Sequence, residues 1–281
     1  MNLGDIINFS DYDRLLPLVT NSLIAGALLA LIGGLVGVFV MNRELSFAVH
    51  GIAELSFAGA AIALLIGFDV VFGSIFGSLI AAGIIAFLGD RAKDRNSIVA
   101  VLMPFGLGLG ILALSLYPGR AANKFGLLTG QIVAVDDPKL FSMLGIAVLV
   151  VSSMLLIWRP LSFASLDPEV AMARGVPVKA LGIGFVMLLG LAVAAAVQVV
   201  GALLVLALLV TPAAAALRLS SSQLWVPILS VVFAAVSMLG GILLALGSTL
   251  PISPYVTTIS FTIYLIARLV AYFKSKLAVS K

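Results

Sequence analysis

Apolar residues in this chain come in runs of roughly 20, broken by short polar stretches, and that length matches an α-helix crossing the hydrocarbon core of a bilayer. The first run covers 15–41, with Pro17 near its start and Gly33 and Gly37 forming a ridge of small residues. Asn42, Arg43 and Glu44 interrupt it before a second helix over 43–67, RELSFAVHGIAELSFAGAAIALLIG. Phe68 and Asp69 turn the chain into a third span over 70–88, and further spans follow at 98–116, 140–158, 224–246 and 252–272. The stretch 180–217 is too long for one ordinary crossing; Gln198 and Gly201 divide it into two, and Pro212 breaks the second near its end. The pattern predicts an all-α, polytopic transmembrane bundle of about nine spans, one transmembrane domain over 1–281. An incomplete, re-entrant segment within 180–217 would lower the count to eight.

Composition removes the soluble alternative. Of 281 residues, 62% are hydrophobic and only 10% are charged, whereas soluble domains carry about 25% charged residues. The net charge of +4 sits on Lys and Arg at segment ends, which speaks of topology and lipid headgroups and not of nucleic acid. There is no Cys, so structural disulfides and thiolate ligands are excluded. Asp5, Asp11, Asp13 and a lone Arg14 precede the first span; that flank is too weakly basic, and the span too long, for a cleaved signal peptide. The segment 1–13 is expected at the surface, with the first span retained. In the loop 89–96, Arg91, Lys93 and Arg95 outweigh Asp90 and Asp94, a cytoplasmic signature. Nine crossings then place the N-terminus outside, and 160–179 and the C-terminus inside.

Candidate chemistry is sparse. His50 and Glu54 are four apart, so on a helix they share a face and present one imidazole and one carboxylate together. Inside a membrane such a pair lines an ion path or binding point, or else makes a packing hydrogen bond between helices. Pro104 either kinks the fourth span or marks a broken helix. The connection 117–139 holds an apolar patch at 125–132, long enough for an interfacial helix only. In 160–179, Asp167 can cap a short helix with Pro168 at its first position and Glu169 in its first turn, while Gly175 and Pro177 stop it. That helix is either ordinary loop structure or a docking projection for a cytoplasmic partner. Gln198 lines a path or hydrogen-bonds across the bend before Gly201. Lys124, Asp136 and Asp137 are candidates for receiving an external partner. Neither a Walker A sequence nor an HExxH array is present, so nothing marks an enzyme.

Five pieces, in this order, carry a resemblance: Asn21–Ser22, RELSF…H…E…G, LTGQIVAVDD, DPEVAMARGVPV and QVVGALLVLALLVTPAAAALRL. Together they span essentially the whole chain, which resembles the membrane permease subunit of bacterial zinc/manganese ABC importers. The resemblance implies the type II importer permease fold, a second copy of the chain, two cytoplasmic ATPase subunits that use the ATP, and an extracytoplasmic metal-binding protein. It also implies a multi-pass place in the bacterial cytoplasmic membrane and no stably bound cofactor. DPEVAMARGVPV corresponds to the coupling helix received by the ATPase, with Asp167 and Glu169 orienting it and Ala171 and Gly175 permitting close packing. Relatives often carry Asp near position 50 and His near position 54; here His50 and Glu54 take those places. The pair still suits transported zinc, expected ahead of manganese, and two ligands from each chain of a dimer would make a four-ligand site. The alternative is a channel or ion-coupled carrier that uses the same pair without an ATPase.

Overall fold

A computed structural model describes residues 12–89, 92–119, 127, 135–246, 248 and 251–279. The surface position expected for 1–11, Lys124 and, apart from Leu127, the interfacial helix expected over 125–132 lie outside those residues. Every regular element described is helical. Short turns at Tyr12–Leu15 and Leu16–Val19 lead into α1 (Thr20–Asn42), α2 (Ser46–Ile66), α3 (Val70–Leu88) and α4 (Ala92–Leu116). Then come α5 (Asp137–Leu166), the short α6 (Pro168–Ala173) and α7 (Val178–Val200). A tight turn at Ala202–Leu204 leads to α8 (Val205–Leu209), α9 (Thr211–Leu219), α10 (Trp225–Ala245) and α11 (Ile252–Val279).

Helices are forced because hydrocarbon offers backbone amides no other partner. Which face turns inward follows from size and not from polarity. On α3 the bulky Phe72, Phe76, Ile80 and Phe87 are exposed, while Gly73, Ser74, Gly77, Ser78 and Ala81 are buried. Lipid accepts the large side chains, and small residues let neighbouring backbones approach. The closest approaches flank α2. A methyl group at Gly77 would strike the Leu55 carbonyl of α2, and one at Gly59 would strike the Gly73 carbonyl of α3. On the other side, a Cβ at Gly106 of α4 would lie 2.9 Å from the Glu54 carbonyl carbon. α4 itself runs unbroken through Pro104, so the broken-helix alternative is not realised.

Among the described residues, eight helices are long and apolar enough to cross a membrane, and Val205–Leu219 is a shorter apolar stretch. Its neighbours show where it runs. The Leu208 carbonyl packs at Gly33, Leu209 packs at Gly37, and Ala213 and Ala216 cluster with Val38 and Val226. The stretch therefore descends alongside the second half of α1 and ends where α10 begins. The far end of α10 returns to the start of the chain, where the Tyr12 hydroxyl donates to the Leu243 carbonyl. α11 descends again, with Ser260 donating to the Ala207 carbonyl at 2.9 Å. Passes add to about nine, and the two ends of the described chain lie at opposite faces. Arg43, Arg95, Arg174, Lys179 and Arg218 gather at the face where α1 ends.

Because the chain lacks Cys, single cysteines report sidedness cleanly. Cysteines at Asp69 and Ser221 are expected to react with an impermeant reagent from opposite sides of the membrane. Labelling of both from one side would mean that the α8–α9 stretch does not cross.

Candidate functional site

α2 starts after a three-residue turn and carries His50 and Glu54 in its first turns. Their Nε2 and Oε1 atoms stand 3.8 Å apart, beyond hydrogen-bond length. The Glu54 side chain is 5% exposed and that of His50 27%. His50 Nδ1 and Glu54 Oε2 are buried without a hydrogen-bond partner among the described residues. The packing hydrogen bond allowed by the sequence is therefore absent among the described residues. Unpaired polar atoms in this setting are costly, and a nitrogen beside a carboxylate is a donor set that suits zinc or manganese. No group of three or more His, Cys, Asp or Glu occurs among the described residues, so each chain offers the pair alone. Further donors would have to come from water or a second copy.

Toward the other end of α2 lies a cavity of about 800 Å³, with Asp69, Ser74, Asp136, Lys139, Ser142 and Gln198 as its polar lining. Gln198 is 8% exposed and its Nε2 has no hydrogen-bond partner among the described residues. The bend that follows depends instead on Gly201, whose φ of +77° and ψ of 161° suit glycine alone. Gln198 thus lines a cavity, as one of the two readings of the sequence allows. The acidic residues read as partner contacts have work inside the chain. Asp136 accepts from the Lys139 amide at 3.2 Å and caps α5, while Asp137 accepts from Asn21 Nδ2 at 2.8 Å. The sequence reading missed Ser56 and Ser74, whose buried hydroxyls meet at 2.7 Å between α2 and α3. Ser74, Gly77, Ser78 and Ala81 form a small-residue face that could have marked them.

The short α6 follows its sequence signature closely. Asp167 Oδ1 accepts from the Val170 amide at 3.0 Å, and Pro168 occupies the first position. Glu169 is exposed and Ala171 fully buried. Gly175 provides the stop that the sequence assigned to it. Its φ is +80°, and nothing lies within 4 Å of the place a Cβ would take. It reverses the chain, with its own amide bonded to the Met172 carbonyl at 2.9 Å and that of Val176 to Ala171 at 3.0 Å. Val170 and Met172, large and apolar, stand exposed on this projecting helix.

A multi-span bundle with an inward polar pair, and a short capped helix projecting between two spans, defines a membrane transport permease. The chain belongs to the ABC 3 transport family, whose sequence pattern matches residues 16–271. It is similar to the manganese transport system membrane protein MntC of Halalkalibacterium halodurans, 30% identical over 82% of this chain and 80% of that one. The manganese import system permease protein ScaB of Streptococcus parasanguinis is 26% identical over 95% of each chain. The solved structure of PsaBC from Streptococcus pneumoniae in complex with Fab superposes with a TM-score of 0.80 at 26% identity, over 92% of both chains.

The unpartnered amide supplies a test of the Gln198 assignment. Replacing it with Met keeps the length and removes the unpaired donor, so stability is expected to hold or to rise by up to about 1 kcal/mol. A fall of more than about 1 kcal/mol in detergent unfolding would show that the amide does brace the bend.

Proposed function

We propose that this chain is the membrane-spanning subunit of an ATP-driven importer of a divalent transition metal, and that the metal passes His50 and Glu54. Membership of the ABC 3 transport family supports the transporter class, and the permeases it resembles are named for manganese. Manganese therefore takes first place here, with zinc, which the sequence put first, as the competing cargo. The observation that carries the site is the pair of buried, unpartnered atoms, His50 Nδ1 and Glu54 Oε2. A packing role would have consumed them. Two donors hold an ion loosely, which suits passage better than storage, and a second copy of the chain would bring two more.

ATP is hydrolysed in this reading by separate cytoplasmic subunits, since the chain has no Walker A sequence. They dock on α6, where Val170 and Met172 offer apolar contacts and Asp167 holds the helix in shape. The basic face at the end of α1 is cytoplasmic, so the N-terminal end of the bundle faces outward and receives the metal from an external binding protein.

His50→Phe and Glu54→Gln test the site. Each is expected to lower manganese and zinc uptake at least about tenfold, the loss typical of disturbed metal coordination, with abundance and ATPase assembly kept. The double variant is expected to be no worse than the more severe single one, because both changes disable one site. Parental flux in both single variants would defeat the assignment; loss of assembly together with flux would return the pair to a packing role.

A further inference from the structure

The turn between α1 and α2 spans only residues 43–45, and it is held from two directions. Within the chain, the Arg43 amide bonds to the Phe39 carbonyl at 3.0 Å and the Leu45 amide to Val40 at 2.8 Å. Glu44 sits at φ +56°, a left-handed conformation that residues other than glycine adopt only when their surroundings impose it. Arg95 of α4 imposes it, with one guanidinium nitrogen donating to the carbonyls of Arg43 at 3.2 Å and Glu44 at 3.3 Å. Leu45 is buried beneath. A turn this short and this fully bonded moves as one piece with the start of α2, five residues before His50.

The Arg43 side chain leaves this turn in the opposite direction. Its Nη1 donates to Ser165 Oγ at 3.2 Å, and that hydroxyl in turn donates to the Leu161 carbonyl at 2.7 Å. Its Nη2 lies 3.1 Å from where a Cβ on Gly182 would stand, so the missing side chain makes its berth. Ser165 is two residues before the Asp167 cap of α6, and Gly182 lies early in α7, which follows α6. One guanidinium is therefore hydrogen-bonded to the leg that enters α6 and lies beside the leg that leaves it. Packing reinforces the link one turn deeper: Phe39 meets Trp158 of α5 edge-on at 4.7 Å between ring centroids and Phe185 of α7 at 5.8 Å. Burial, and then the nearby charge of Arg95, lower the pKa of Arg43.

We propose that Arg43 is a positioning residue that ties both legs of α6 to the start of α2, so that displacement of α6 by its partner reaches His50 and Glu54 through the 43–45 turn. Guanidinium suits the task because its planar fork donates in more than one direction from a single stem, which an ammonium does not reproduce. The link rests on the proposed coupling of this permease to an ATPase at α6.

The test uses the complete reconstituted transporter, permease with ATPase and external binding protein, in proteoliposomes, and reads manganese moved per ATP hydrolysed. Arg43→Gln is expected to lower that ratio about tenfold, within the range of coupling between distant sites, while ATP turnover persists. Ser165→Ala, which removes the acceptor without touching the turn, is expected to lower it in the same direction by a few-fold. The two combined are expected to match Arg43→Gln alone, because they break one link. A merely structural arginine would reduce the amount of assembled complex, and hence transport and ATP turnover in proportion, leaving the ratio unmoved; that result overturns the proposal. Should Arg43→Gln fail to assemble, Ser165→Ala decides, and a parental ratio there counts against the link. If the unaltered complex moves no manganese or zinc with ATP, the importer reading itself fails, an outcome separate from that of the variants.

Discussion

Everything in this bundle depends on how closely α2 is gripped. Its Leu55 and Gly59 meet α3 backbone to backbone, and Gly106 of α4 sits against the peptide following Glu54. Such contacts replace the hydrophobic effect, which has little to offer between helices already bathed in hydrocarbon. They also settle which stripe of α2 keeps free chemistry. His50 and Glu54 occur one residue before Gly51 and Leu55 on each turn, on the stripe beside the one that makes the grip. Their outward atoms are buried yet bonded to nothing. The proposed passage of metal past His50 and Glu54 rests on this unspent imidazole and carboxylate.

The same economy runs through the rest of the fold. Small residues face inward and large aromatics face lipid, as α3 shows, and most hydroxyls on the inner faces turn to a carbonyl or another hydroxyl. Ser56 with Ser74, and Ser260 with the Ala207 carbonyl, do so across helices. The Gln198 Nε2, at the cavity near the C-terminal end of α7, has no hydrogen-bond partner among the described residues. Among the described residues, buried polar atoms without a partner occur on α2 at His50 and Glu54, on α7 at Gln198, and singly at Arg95 Nε and Ser230 Oγ.

Much of this was legible in the chain. Run lengths marked the spans, and division of 180–217 at Gly201 matches the turn found there, because a left-handed glycine after twenty apolar residues has few other uses. Asp167, Pro168 and Gly175 announced a capped and terminated helix, since capping is local chemistry. What escaped depends on partners distant in sequence. The bond from Arg43 to Ser165 joins residues 122 positions apart, and no local pattern in RELSF distinguishes a guanidinium that reaches across the bundle from one that snorkels to the surface. Gln198 was ambiguous for a similar reason: an amide in an apolar run is either a brace or a lining until the space around it is known.

A direct measurement addresses the metal itself. Manganese held in the assembled transporter, with the ATPase arrested by a non-hydrolysable nucleotide, carries an electron spin that senses its ligands. Pulsed spectroscopy of that complex should show nitrogen hyperfine coupling from imidazole, and the coupling should vanish in His50→Phe while manganese on the external binding protein keeps its own signal. Since His50 is the only histidine in the chain, permease-bound manganese surrounded by oxygen alone, in protein with His50 intact, would contradict passage of the metal past this pair.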